Sequence, residues 1–185
     1  MADSIYFHDT RVPFIIADVP AVTLATTPKA LYTTSFSPVF GGQYWALGKR
    51  IRIRLFGRIT TVLTPGNGQF TLFYGNGADN TGVSLVTSAA FALVASQTNI
   101  AWTVEFYVAV RSTGSTGTFF ANGLAEFNPA VVLSTAQPLI IPASTPVVSG
   151  ACDLTAANIL SVQFSRSGST AETMQVHDLE IDALN

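Results

Sequence analysis

Residues 48–61 read GKRIRIRLFGRITT and hold five of the nine basic residues of a 185-residue chain whose net charge is −2. Arg50, Arg52, Arg54 and Arg58 share one parity, and Ile51, Ile53, Leu55 and Ile59 share the other. A period of two is that of a β-strand with one face buried, whereas helical spacing would scatter the arginines around the axis. The stretch therefore predicts a strand that is apolar inside and basic outside.

The same alternation recurs along the chain. Trp102, Val104, Phe106, Val108 and Val110 alternate with Thr103, Glu105, Tyr107 and Ala109, and Leu160, Val162 and Phe164 alternate with Ser161, Gln163 and Ser165. Strand-like runs are expected at Arg50 to Leu63, Gln69 to Tyr74, Trp102 to Arg111, Thr118 to Phe127, Asn158 to Ser165 and Thr173 to Ile181. Turn-forming clusters separate them, among them Pro65-Gly66-Asn67-Gly68, Gly75 to Asn80 and Ser112 to Gly117. No stretch of a dozen residues carries apolar helical spacing, so the fold class is all-β. Several strands each offering one apolar face are satisfied by two sheets packed face to face, a β-sandwich. Thr87 to Ser96 fits a short helix or a strand. Asn128 to Pro146 holds Pro129, Pro138, Pro142 and Pro146, which suits edge strands and crossing loops. Residues 48–185 form the sandwich domain. Residues 1–47, with four prolines and the apolar pegs Tyr6, Phe7, Phe14, Phe36 and Phe40, form an extended N-terminal arm. An arm laid on a neighbouring subunit and an arm folded over its own barrel both fit that composition.

Charged residues make up 11% of the chain, against about 25% in typical globular domains, while threonine and serine number 22 and 15. A surface so poorly charged favours a subunit packed among neighbours over a free monomer. The N-terminus lacks the basic-then-apolar order of a signal peptide, and no apolar run approaches the roughly 18 residues of a membrane span, so a soluble protein without a membrane partner is expected. The lone Cys152 reads as a buried thiol.

No catalytic or cofactor signature emerges. Gly42 to Gly48 encloses five residues where a phosphate-binding loop needs four, and no GxSxG elbow occurs. His8 and His177 sit near opposite ends without a metal-binding pattern. Asp79 with Asn76 and Asn80 offers an oxygen-rich turn for calcium, but a single carboxylate makes an ordinary turn the simpler reading. The chain is accordingly expected to be no enzyme and to carry no cofactor and no metal. For the arginine face, nucleic acid is one partner class. The alternative is a charge ladder, because Asp178, Glu180 and Asp182 also repeat with period two. Overall acidity and aliphatic residues between the arginines favour the ladder, within the sheet or between subunits. Arg50, Arg52, Arg54, Arg58, Asp178, Glu180 and Asp182 are thus the candidate interaction residues.

Three runs, GKRIRIRLFGRITTVLTPGNGQFTLFYGNG, WTVEFYVAVRSTGSTGTFF and DLTAANILSVQFSRSGSTAETMQVHDLEIDALN, resemble the jelly-roll virion structural proteins of tailed bacteriophages, above all decoration and accessory proteins. The resemblance covers Gly48 to the C-terminus. It implies a jelly-roll β-sandwich whose first and last barrel strands are neighbours, which would set Arg50 to Arg54 beside Asp178 to Asp182. It further implies a homotrimer on the virion, partnered by the major capsid protein or other virion subunits. The expected function is a capsid decoration, or cement, subunit. The alternatives are a tail or fibre accessory protein, or a carbohydrate-binding β-sandwich using exposed aromatics such as Tyr44, Trp45 and Tyr107.

Overall fold

A computed structural model describes residues 12–13, 19–37, 39–128, 137–146, 148–168 and 172–184. Among them the chain is all-β apart from one short 3-10 turn, and its strands form two antiparallel sheets. The long strands are β4 (Arg50–Thr60), β5 (Asn67–Gly75), β8 (Ile100–Ser112), β9 (Thr118–Phe127), β11 (Ile159–Arg166) and β12 (Thr173–Ala183). Short ones are β1 (Val12–Pro13), β2 (Val22–Thr23), β3 (Lys29–Ala30), β6 (Val83–Thr87), β7 (Phe91–Ala92) and β10 (Leu139–Ile141). Thr87 to Ser96, whose sequence fits a short helix or a strand, contains no helix: Thr87 ends β6 and Phe91–Ala92 form β7.

The first sheet runs β1-β12-β4-β8-β9-β10 with β2 also on β12, and the second runs β3-β11-β5-β6 with β7 also on β5. The first long strand thus pairs with the last and the second with the next to last, the nested pairing expected of a jelly roll. Through β8, β9 and β10 the first sheet continues as a meander.

The alternation read from the sequence decides what lies between the sheets. Ile51, Ile53 and Leu55 of β4, Val104, Phe106 and Val108 of β8, and Leu160, Val162 and Phe164 of β11 are all at most 2% exposed. Each such side chain contributes roughly 1.5–3 kcal/mol of burial free energy. Rings fill the rest: Phe70, Phe91, Trp102, Phe127 and Phe164 form one cluster, and Phe40, Trp45, Tyr74 and Phe119 another. Cys152 is buried, and burial pushes its thiol pKa up.

Residues 19–37 and 39–47 lie against the sandwich. The Val19 amide donates to the Val176 carbonyl, β2 pairs with β12, β3 pairs with β11, and Phe40 bridges Asn158. The segment therefore crosses from the edge of one sheet to the edge of the other. Tyr32, fully buried, donates its hydroxyl to the Leu160 carbonyl and accepts from the Val162 amide. Residues 1–11 and 14–18, and His8 with them, lie outside the described residues.

Candidate functional site

The two sheets present very different outer faces. Every residue of β11 is buried, including the outward Ser161, Gln163 and Ser165. The reason is local: the Gln163 side chain accepts from the Asn80 amide and donates to the Ala78 carbonyl, which holds the 76–81 loop over the second sheet. Asp79, in that loop, accepts from Lys29 Nζ at 2.7 Å and the Ala30 amide at 2.8 Å. Its carboxylate is a latch on the N-terminal segment, and these donors hold its pKa below the usual carboxylate range against the opposing effect of burial. Asn76 Oδ1 accepts from the Ala78 amide and the Thr81 hydroxyl, so the loop is an ordinary hydrogen-bonded turn. No cluster of potential metal ligands occurs among the described residues.

The first sheet keeps its outer face open, and the candidate interaction residues lie there. Across β12, β4 and β8 the register sets Asp182, Arg52 and Tyr107 in one row and Glu180, Arg54 and Glu105 in the next. Arg52 donates Nε to Asp182 Oδ2 at 2.9 Å and adds an Nη2 contact to the same oxygen, while Glu180 lies 3.8 Å away. The Asp182 hydrogen bond holds the guanidinium above its ordinary pKa. Tyr107 is raised as well, first by its hydrogen bond to Glu105. Arg58 makes no ion pair with the acidic run; it donates Nε and Nη2 to Gln175 Oε1 at 3.0 and 2.6 Å. Arg50 lies opposite Ala109 and accepts the Leu184 amide at its carbonyl.

Asp178 falls opposite Phe56, not an arginine. Val176 pairs with Gly57 and Asp178 with Phe56, which leaves His177 as the extra residue of a β-bulge. The acidic and basic runs therefore meet in two rows, with Phe56 between Arg54 and Arg58 on the same face. Phe56 is 47% exposed. It borders a groove of about 280 Å³ that Ala101, Thr103, Glu126 and Asn128 also line. Thr103 and Glu126 are shared with a second hollow of about 170 Å³ reaching Arg54, Glu105 and Leu124. Sequence reasoning missed Phe56 although the signal was present, since it shares the parity of the arginines.

Of the three aromatics expected at the surface, Tyr44 and Tyr107 are half-buried and Trp45 is not at the surface. Trp45 is a core residue, 6% exposed, donating its indole N–H to the Tyr74 hydroxyl at 2.9 Å. Tyr44 packs against Phe40 and Trp45 and holds Lys49 Nζ 3.5 Å from its ring centre. Tyr107 is half-buried beside Arg52.

The Arg52–Asp182 contact gives a first expected result. Asp182 is almost buried and its bond to Arg52 is charge-assisted, so Asp182→Ala should cost about 1.5–3 kcal/mol. Arg52→Ala should cost a similar amount, and the double variant little more than the worse single one. Denaturant melts on the four proteins measure this, and simple addition of the two losses would show that the residues act independently.

No protein-family model and no curated protein matches the sequence. Among solved structures, the chain is similar to a lectin from Bauhinia forficata in complex with GalNAc, at 10% identity and a TM-score of 0.39, covering 96% of this chain and 99% of that one. It is also similar to a legume lectin-like domain from Entamoeba histolytica, at 10% identity and a TM-score of 0.33, covering 94% and 88%. At those scores neither likeness says anything about what this chain binds.

Proposed function

We propose that the chain is a non-enzymatic virion structural protein of a tailed bacteriophage, a decoration or cement subunit on the capsid, with a tail or fibre position as the nearest variant. It works by contact, through the outer face of its first sheet. One observation carries the reading. In a chain with 11% charged residues, Leu124 and Ile140 stand side by side in register on that face, 40% and 71% exposed. Adjacent apolar side chains left in water on a sheet face favour a covering neighbour. Association by strand addition is disfavoured because Pro138 and Pro142 bracket edge strand β10, and N-terminal strands β1 and β2 occupy the free side of β12. The virion source comes from the resemblance of the three quoted runs.

The expected result is a self-associated protein, a trimer in sedimentation equilibrium, that Ile140→Lys with Leu124→Lys converts to a folded monomer. A wild-type monomer at high micromolar concentration would count against it. Immunogold labelling of purified virions with an antibody to the chain would place it on capsid or tail, and unlabelled particles would remove the virion assignment. A second reading, a carbohydrate-binding sandwich, is favoured by a different observation, the groove beside Phe56.

A further inference from the structure

We infer that the groove beside Phe56 is a metal-independent binding site for a neutral sugar. The inference rests on the second reading above and names its site and ligand class. Phe56 lies among polar neighbours, between Asp178 on one side and Thr103 on the other, with Arg54 and Arg58 flanking it along β4. A half-exposed ring in that setting is a platform for a surface that is apolar on one side and hydrogen-bonding at its rim. A pyranose has that form, with C–H groups on its faces and hydroxyls around its edge.

The lining supplies the rim. Glu126, two strands from Phe56, offers acceptor oxygens to sugar hydroxyls, and Asn128 adds a side-chain amide. Thr103 donates its hydroxyl to the Leu55 carbonyl at 2.9 Å, which leaves its oxygen lone pairs directed away from that bond as acceptors. Beyond Glu126 the second hollow adds Glu105 and Arg54, a mixed acid and base pair in register. At about 280 and 170 Å³ the two hollows are small beside ordinary ligand sites, a size that suits one or two sugar residues. Two carboxylates in the lining disfavour anionic sugars. A peptide would bring a backbone needing its own partners, and the flanking strands β4, β8 and β9 already pair with one another. Since no cluster of metal ligands occurs among the described residues, binding should survive chelation.

The test is a panel of immobilised glycans ending in glucose, galactose, mannose, N-acetylglucosamine or sialic acid, probed with wild type, Phe56→Ala and Glu126→Gln in buffer with EDTA. At least one neutral terminus should bind and the sialylated ones should not. Titration with the matching methyl glycoside, followed by NMR, should show affinity falling tenfold or more in both variants while melting temperatures stay within a few degrees of wild type. Failure of every neutral terminus at millimolar glycoside would overturn the inference, as would binding undiminished in both variants or abolished by EDTA. Sedimentation of the same proteins separates this outcome from the assembly reading: if Phe56→Ala dissociates the oligomer and no sugar binds, the groove is a contact between copies and not a glycan site.

Discussion

Glu172→Ala should destabilise the protein by about 3–5 kcal/mol, more than any change on the open face of the first sheet. Glu172 is 0% exposed and its Oε2 lies 2.6 Å from Nε of Arg166, itself 7% exposed. Arg166 also donates Nε to the Leu24 carbonyl at 3.2 Å and Nη1 to the Gly168 carbonyl at 2.6 Å. The backbone repeats the link, with the Arg166 amide donating to Ala25 and the Leu24 amide to Glu172. The pair therefore ties the N-terminal segment to the end of β11 and the approach to β12. Removing the carboxylate leaves a guanidinium buried without its counter-charge, which is the costly half of a broken ion pair. Replacing both members with apolar residues of similar size, Arg166→Met with Glu172→Leu, should recover most of the loss because neither charge then needs solvation. Urea melts on wild type, both single variants and the double variant measure it. If the double variant were as unstable as the sum of the singles, the pair would owe its role to hydrogen bonds to Leu24 and Gly168 instead of charge compensation.

This pair also shows where the sequence stops being readable. Alternation in GKRIRIRLFGRITT and in Trp102 to Val110 is a local pattern, and it places β4 and β8, their inward faces and their outward ones. The bulge at His177 is local too: apolar positions change parity from Met174 and Val176 to Leu179 and Ile181, which requires one extra residue between them. Phe56 was legible by the same parity and was hidden only by the arginines around it. Arg166, Glu172, Lys29 and Asp79 are different. Their burial and pairing depend on partners far along the chain, Lys29 and Asp79 being 50 residues apart and Arg166 142 from the Leu24 carbonyl, and a charged residue near a turn reads as surface until that partner is in place. Trp45 follows the same rule. Nothing local in GGQYWALG distinguishes an exposed ring from one that meets Tyr74 and Phe119 in the core.

Gly57→Val should cost about 3 kcal/mol, the upper end of ordinary overpacking, and should also distort the groove. Gly57 sits in β4 on the buried side, opposite Trp102 on β8 and Val176 on β12. A Cβ there would lie 2.1 Å from the Gln175 carbonyl oxygen and 2.7 Å from Cζ2 of Trp102. The first neighbour is backbone in a paired strand beside the bulge, so it gives way only by moving β12. The second is a ring 1% exposed, wedged near Phe70, so it moves only by disturbing the core. Glycine is needed here for close approach and not for unusual backbone angles. Phe56, the next residue, takes its position from the same stretch of backbone, and Trp102 lines the groove that Phe56 borders. A side chain at 57 therefore acts on stability and on the candidate site through one displacement. Gly41→Ala is the control, because a Cβ at Gly41 meets nothing within 4 Å, and its effect should stay within about 0.5 kcal/mol. Denaturant melts give the energies, and near-ultraviolet circular dichroism of the aromatic cluster reads the displacement of Trp102. A Gly57→Val protein with wild-type stability and an unchanged aromatic spectrum would mean that β12 slides easily at the bulge, and that the close packing of β4, β8 and β12 is not what holds Phe56 in place.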